Sequence, residues 1–136
     1  MIAALEWKGE YRFDADVSSG GNFSFDNVDE GVVPAGPSPM EAFLTSLAAC
    51  TAMDVISILK KKRQDVKSYR VEIEAERPPR GEWPRPFTSF RINHVIEGTV
   101  DTTALARAIE LSEQKYCSVS ATLRIHPIIT NTFEIK

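Results

Sequence analysis

The fold depends chiefly on residues 38–64, which read SPMEAFLTSLAACTAMDVISILKKKRQ. Its first residues carry the start signal of a helix. Ser38 is an N-cap residue, Pro39 takes the first helical position, and Glu41 follows three residues after the serine, as in a capping box. We predict a helix that runs from this start to about Gln64, which is about seven turns at about 3.6 residues per turn.

Apolar side chains cover most of the circumference of this helix: Phe43, Leu44, Leu47, Ala48, Met53, Val55, Ile56, Ile58 and Leu59. A helix that is apolar all round is buried all round. One sheet covers one face only, so the pattern predicts that a second subunit covers the other. The tract 42–59 is about as long as a transmembrane span. It contains Asp54 and ends in Lys60–Arg63, so we interpret it as a buried helix of a soluble protein.

The segments around this helix predict strands and a second helix. Alternating apolar residues bounded by turn residues favour strands at Ala3–Trp7, Tyr11–Val17, Asn22–Asp26, Lys67–Glu76, Phe87–Ile96 and 125–135. Asp101 or Thr102 starts the second helix. The order βββ-α-ββ-α-β predicts one α+β domain, 1–136, with sheets around a long central helix. Residues Arg77–Pro86 hold four prolines and predict a loop, either a lid over a neighbouring subunit's site or a surface hairpin tip.

Composition excludes several classes of protein. The chain is 43% hydrophobic and 26% charged, which argues against disorder. With a net charge of -3, the chain lacks the excess of basic residues that is typical of nucleic-acid-binding proteins. The basic run Lys60–Arg63 complements the dipole at the end of a helix. The N-terminus lacks the pattern of a signal peptide. We therefore expect a cytoplasmic protein that binds neither nucleic acid nor a membrane.

Two cysteines, Cys50 and Cys117, are too few for a disulfide scaffold or a self-contained four-cysteine zinc site. Cys50 lies in mid-helix, beyond the reach of the helix dipole, so its thiolate needs a cation from elsewhere in the fold, above all an arginine. Cys117 follows Lys115 and can open a short helix to about Leu123, and both features favour its thiolate. A buried, unreactive thiol remains the alternative for each cysteine.

The pair is more informative than either cysteine alone. If the two helices pack together, one thiolate can attack a peroxide O–O bond and the other can condense with the resulting sulfenic acid. The two histidines suggest two other arrangements. One is a cysteine–histidine hydrolase that pairs Cys50 with His94, and the other is a metal site formed by both cysteines with His94 and His126. No nucleophile signature or ligand spacing supports either arrangement, so we expect no metal and no cofactor.

Two segments carry a family resemblance: GPSPMEAFLTSLAAC at 36–50 and LSEQKYCSVSATL at 111–123. They resemble the OsmC/Ohr family, and within it most closely the YhfA-like branch. The resemblance implies an interwound homodimer with the long helices at its centre and thiol sites at the interface. It also implies that Cys50 is the peroxidatic cysteine and Cys117 the resolving one. The implied substrates are organic hydroperoxides or hydrogen peroxide, and the implied reductant is a dithiol, a lipoylated protein in some members.

The chain departs from the family pattern at one position. Peroxidatic members carry a glutamate ten residues before the cysteine, where it pairs with an arginine near the thiolate. Met40 stands there in this chain, and Glu41 is nine residues before Cys50, a rotation of about 100° on a helix. Arg12, the one arginine before the helix, and Glu41 are the candidates to support the thiolate. Glu41 has the alternative of serving only in the capping box.

Two functions follow from these observations. The first is a cysteine-based peroxidase of peroxiredoxin-like chemistry, active in the stress response, that uses Cys50 and Cys117. The second, motivated by Met40 in place of the carboxylate, is a non-enzymatic binding module whose pocket holds a small molecule.

Overall fold

A computed structural model describes residues 1–27, 31–125, 128–131 and 134. The described elements are the strands β1 (Ala3–Trp7), β2 (Phe13–Val17), β3 (Asn22–Phe25), β4 (Asp65–Glu76) and β5 (Ser89–Thr99), and the helices α1 (Pro39–Lys61), α2 (Thr102–Leu111) and α3 (Ser118–Arg124), with a π-helical turn at Ser112–Tyr116 between the last two. This mixture confirms the predicted α+β class. Contacts divide the chain into two compact units, 1–45 and 46–136. The single domain 1–136 stays a prediction.

The first unit, residues 1–45, contains an antiparallel sheet in the order β1-β2-β3. Trp7 pairs with Phe13, and Phe13 with Phe25 across the next ladder. After β3 the chain passes so close to its own backbone that a Cβ at Gly36 would lie 1.8 Å from the Ser24 carbonyl oxygen. Gly36 is therefore required for this approach, which leads the chain into the start of α1.

The capping box at the start of α1 is confirmed. The Glu41 backbone N–H donates to Ser38 Oγ at 3.3 Å, and the Ser38 backbone N–H donates to Glu41 Oε2 at 2.8 Å. The Ser38 hydroxyl also donates to Glu41 Oε2 at 2.7 Å. These bonds, the hydroxyl first and then the backbone N–H, hold the pKa of Glu41 below its ordinary value. The reciprocal pattern satisfies N–H groups that a helix start otherwise leaves without partners.

The end of α1 differs from the prediction of Gln64, because the helix stops at Lys61. Arg63 takes a left-handed φ of 55°. Its N–H bonds to the Lys60 carbonyl at 3.0 Å, and the Gln64 N–H bonds to the Leu59 carbonyl at 3.0 Å. These two bonds form a Schellman motif. The basic run therefore lies across the helix end rather than inside the helix.

Within the second unit, residues 46–136, α1 is buried along a single stripe of every fourth residue: Leu47, Thr51, Val55 and Leu59. Val55 and Leu59 are completely buried and form the core with Ala108 of α2. Met53, on another face, is 71% exposed. One chain thus buries one face of the helix, and the second subunit that would cover the rest stays a prediction.

α1 is also long and apolar enough to cross a membrane by length and composition, a test that core helices of soluble proteins also meet.

The partner of this stripe is the long antiparallel hairpin β4-β5. A bulge between Val66 and Ser68 shifts the register by one residue. This shift lets Val66 and Tyr69 both face the core cluster, although they are three residues apart. The loop Arg77–Pro86 joins the two strands. Within it Arg77 Nε donates to the Arg85 carbonyl and Arg85 Nε to the Pro78 carbonyl, each at 2.9 Å, and both predicted roles for this loop stay open.

The C-terminal part begins as predicted. Asp101 is the N-cap of α2 and accepts a bond from the Ala104 N–H at 2.8 Å. The predicted closing strand at 125–135 falls partly on residues 126, 127, 132, 133 and 135, which lie outside the described ranges. The described residues 128–131 have no regular secondary structure.

Candidate functional site

The two cysteines meet in the second unit. The sulfurs of Cys50 and Cys117 and a carboxylate oxygen of Asp54 all lie within 4.8 Å of one another, and both thiols are free. Asp54 follows Cys50 by one helical turn, so α1 presents both on one face. Cys117 reaches them from the junction between α2 and α3. The structure therefore brings together the two cysteines that the sequence singled out, and adds a carboxylate.

A π-helical turn places Cys117 at this junction. The Cys117 N–H donates to the Ser112 carbonyl at 2.9 Å, five residues back instead of the four of an α-helix. Such turns are frequent at functional sites because one extra residue redirects the side chains that follow. Cys117 then adopts extended backbone and caps α3, where its sulfur accepts the Ser120 N–H at 3.4 Å. The predicted short helix after Cys117 is confirmed, and it ends at Arg124 rather than Leu123.

A buried hydroxyl holds the carboxylate in position. Ser112 is completely buried, and its Oγ lies 2.9 Å from Asp54 Oδ2 and 3.0 Å from Thr51 Oγ1. The Ser112 hydroxyl donates its one proton to Asp54, so the Thr51 hydroxyl is the donor in its bond with Ser112. This chain of bonds links α1 to the turn before Cys117. It fixes the Asp54 carboxylate beside the two thiols.

The environment of Cys117 reverses one expectation. Lys115 and the start of a helix predicted a lowered pKa, but burial raises the pKa of Cys117 above its ordinary value of 9.0. The hydrogen bond with Cys50 and the charges of Cys50 and Asp54 raise the pKa further, and they outweigh the opposing bond from Ser120. The Lys115 ammonium lies over the Tyr116 ring, 5.3 Å from its centroid. Cys117 therefore keeps its proton at neutral pH.

A cavity of about 550 Å³ in the second unit borders Cys117. Its lining includes the apolar residues Leu47, Phe90, Ile92 and Ile109 and the polar residues Asn93, His94, Glu113 and Arg124. His94 Nδ1 shares a hydrogen bond with the Tyr69 hydroxyl at 2.7 Å. Burial lowers the pKa of His94 and raises that of Tyr69 to about 12. Both groups are therefore mainly neutral at pH 7, and His94 contributes an uncharged polar group to the lining of the cavity.

The two predicted supporting residues belong to the first unit, where each has partners of its own. Arg12 donates to both carboxylate oxygens of Asp14, at 2.9 and 3.2 Å. Glu41 accepts its bonds from Ser38 in the capping box. Their role beside the thiolate stays a prediction.

Sequence reasoning missed several residues of this site. The sequence places Asp54 one turn after Cys50 on the same helix face, but Asp54 was not among the predicted site residues. Ser112 and Thr51 had no sequence signal, because only the π-helical turn brings Ser112 to α1. Arg124 borders the same cavity as Cys117 and donates to the Glu113 carbonyl at 2.9 Å.

Comparison with known proteins identifies the family. The family model of the OsmC-like proteins matches residues 30–132. Protein YhfA of Escherichia coli K12 is 38% identical over 136 residues, which cover 99% of this chain and 98% of YhfA. The chain therefore belongs to the OsmC-like family, which confirms the resemblance drawn from the two cysteine motifs.

Solved structures show the same fold. A hypothetical protein from Aquifex aeolicus VF5 has a TM-score of 0.78 and 34% identity, and the match covers 90% of this chain and 86% of that one. An OsmC-like hydroperoxide resistance protein from Jannaschia sp. CCS1 has a TM-score of 0.59 and 20% identity, with 96% and 89% covered. The second likeness shows the fold alone.

Proposed function

We propose that this protein is a thiol-dependent peroxidase that reduces organic hydroperoxides or hydrogen peroxide with Cys50 and Cys117. The observation that carries the proposal is the convergence of two free, hydrogen-bonded thiols, one of which, Cys117, borders a cavity of about 550 Å³. The hydroperoxide resistance protein of Jannaschia, which has the same fold, adds support. A role in the stress response follows from this chemistry.

The two cysteines have different roles in the proposed reaction. Cys117 is buried and keeps its proton, so it suits the second step, whereas the half-buried Cys50 makes the attack. The Cys50 thiolate attacks the terminal oxygen of the hydroperoxide, the O–O bond breaks, and the leaving alkoxide takes a proton from solvent to become an alcohol. Cys50 is left as a sulfenic acid.

In the second step the sulfur of Cys117 attacks the Cys50 sulfenic acid and water leaves. The two thiols and one hydroperoxide thus give one disulfide, one alcohol and one water. The sulfurs have to approach to about 2.05 Å for this bond. A dithiol reductant, which is oxidised in turn, then restores both thiols, so the reaction needs no cofactor.

We place this reaction in a cytoplasmic homodimer. The exposed face of α1, with Met53 71% exposed, and the exposed Phe43 offer apolar surface for a second copy. A reducing compartment returns the pair to the thiol form between turnovers.

Rapid mixing of the reduced protein with cumene hydroperoxide tests the proposal. We expect an intramolecular Cys50–Cys117 disulfide by mass spectrometry, formed much faster than a free thiol reacts at equal thiolate fraction. Cys50→Ser should abolish peroxide consumption, and Cys117→Ser should stop the reaction at a Cys50 sulfenic acid. Oxidation of Cys50 at the rate of a free thiol would contradict the proposal.

The same cavity favours a second candidate, a small-molecule binding module. Its apolar lining residues suit the apolar part of a small molecule whether or not the thiols react. This candidate predicts that a hydrophobic probe bound in the cavity raises the melting temperature equally in the wild type and in the Cys50→Ser/Cys117→Ser variant. Loss of that stabilisation in the double variant would contradict it.

A further inference from the structure

We propose that Cys50, Asp54 and Cys117 bind one Zn²⁺ ion when the thiols are reduced. Each residue offers one ligand atom, and the three atoms already lie within 4.8 Å of one another. Typical Zn–S and Zn–O distances of about 2.3 and 2.1 Å give ligand separations of roughly 3.5–3.8 Å around a tetrahedral ion. The ligand atoms therefore have to approach one another by at most about 1.3 Å.

The ligand types select the metal. Two thiolates disfavour Mg²⁺ and Ca²⁺, which take oxygen ligands, and the carboxylate disfavours Cu⁺, which takes soft ligands. Zn²⁺ accepts both sulfur and oxygen in one tetrahedral site. The site has three protein ligands, which leaves the fourth position of a tetrahedral ion for water, and Cys117 borders a cavity of about 550 Å³.

The surroundings of the three ligands resemble those of a metal site. Ser112 is completely buried and donates to Asp54 Oδ2, while Thr51 supports Ser112 from α1. Such supporting bonds hold a ligating carboxylate in one orientation. Binding displaces the two thiol protons, so the affinity should rise with pH.

This inference does not rest on the proposed peroxidase. The same two sulfurs cannot form a disulfide and ligate zinc at once, so bound Zn²⁺ should protect both thiols from alkylation and from peroxide. Peroxidase activity is assayed on chelator-treated protein without metal, and zinc binding is assayed without peroxide. Failure of one is therefore distinguishable from failure of the other.

The test is a titration of the reduced, metal-free protein with Zn²⁺ in competition with a chromophoric chelator, under anaerobic conditions. We expect one Zn²⁺ per chain. Binding should disappear in Cys50→Ser and in Cys117→Ser, and should weaken in Asp54→Asn. Ser112→Ala, which removes only a supporting bond, should weaken it by about 10- to 100-fold. The exposed Glu97→Gln is the matched control that should bind like the wild type.

Cobalt supplies a readout of ligand identity. Co²⁺ bound at this site should show thiolate-to-metal charge-transfer absorption, with its intensity lost in either cysteine variant, and circular dichroism verifies that each variant is folded. Stoichiometric zinc binding that persists in the Cys50→Ser/Cys117→Ser variant would overturn the proposal, because the histidines or exposed carboxylates would then hold the ion. Wild-type binding no tighter than that of this double variant would also overturn it.

Discussion

The two units of the chain differ in how far they bury their apolar side chains. In the described part of the first unit, residues 1–45, Ala15 is the only buried apolar residue, while large side chains on its sheet are exposed: Leu5, Trp7, Phe13 and Phe23. In the second unit, residues 46–136, Val55, Leu59 and Ala108 are completely buried. The second unit thus builds a core of its own and supports the thiol site on it. The first unit leaves most of its large apolar side chains in contact with solvent.

The largest expected effect is the loss of stability when a core residue of the second unit is truncated. Leu59→Ala removes a completely buried side chain and should lower the free energy of unfolding by about 2–5 kcal/mol. Denaturant unfolding of dilute protein measures the loss. Leu5→Ala is the matched variant in the first unit, where Leu5 is 55% exposed, and it should cost at most about 0.5 kcal/mol. A loss at Leu5 as large as the loss at Leu59 would contradict the contrast between the units.

The next effect concerns the buried hydroxyl that joins α1 to the π-helical turn. Ser112→Ala leaves the Asp54 carboxylate and the Thr51 hydroxyl each short of a partner, and should cost about 1–3 kcal/mol. Thermal or denaturant unfolding measures it. The exposed Ser118→Ala serves as the control and should leave stability nearly unchanged. Equal stability of both variants would mean that the bonds of Ser112 do not stabilise the second unit.

A smaller effect is expected at the start of α1 in the first unit. Ser38→Ala removes both hydroxyl bonds of the capping box and should cost about 1 kcal/mol at neutral pH. The folded-state pKa of Glu41 is lowered from 4.5, so its contribution is present above that ordinary value and is lost as the pH falls through the folded-state pKa. The difference between wild type and variant should therefore shrink in acid. A difference that stays constant from neutral to acid pH would show that the ionised carboxylate is not involved.

The smallest effect is a shift in titration with little change of stability at neutral pH. Cys50→Ala removes the hydrogen bond and the charge that help to raise the pKa of Cys117, whereas burial remains. The pKa of Cys117 should then move down toward 9.0 but stay above it. The pH dependence of iodoacetamide labelling at Cys117, followed by mass spectrometry, measures this. A midpoint that rises or does not move would contradict the coupling of the two thiols.

The strands and helices were largely predictable because their signals are local. β1 has the predicted bounds, and Asp101 caps α2 as expected, since alternation and capping depend on residues a few positions apart. The end of α1 was predicted three residues too late. A Schellman motif with a left-handed arginine ends the helix there, and arginine carries no sequence signal for that conformation.

For the site, the sequence by itself determined the two cysteines, their family motifs and the position of Asp54 one turn after Cys50. Only the tertiary structure decided that Ser112 bonds to Asp54 and that burial raises the pKa of Cys117. Helical spacing relates residues within a few positions of one another, whereas α1 and the π-helical turn meet only through packing. The protonation of a thiol depends on the water and charges that such packing leaves around it.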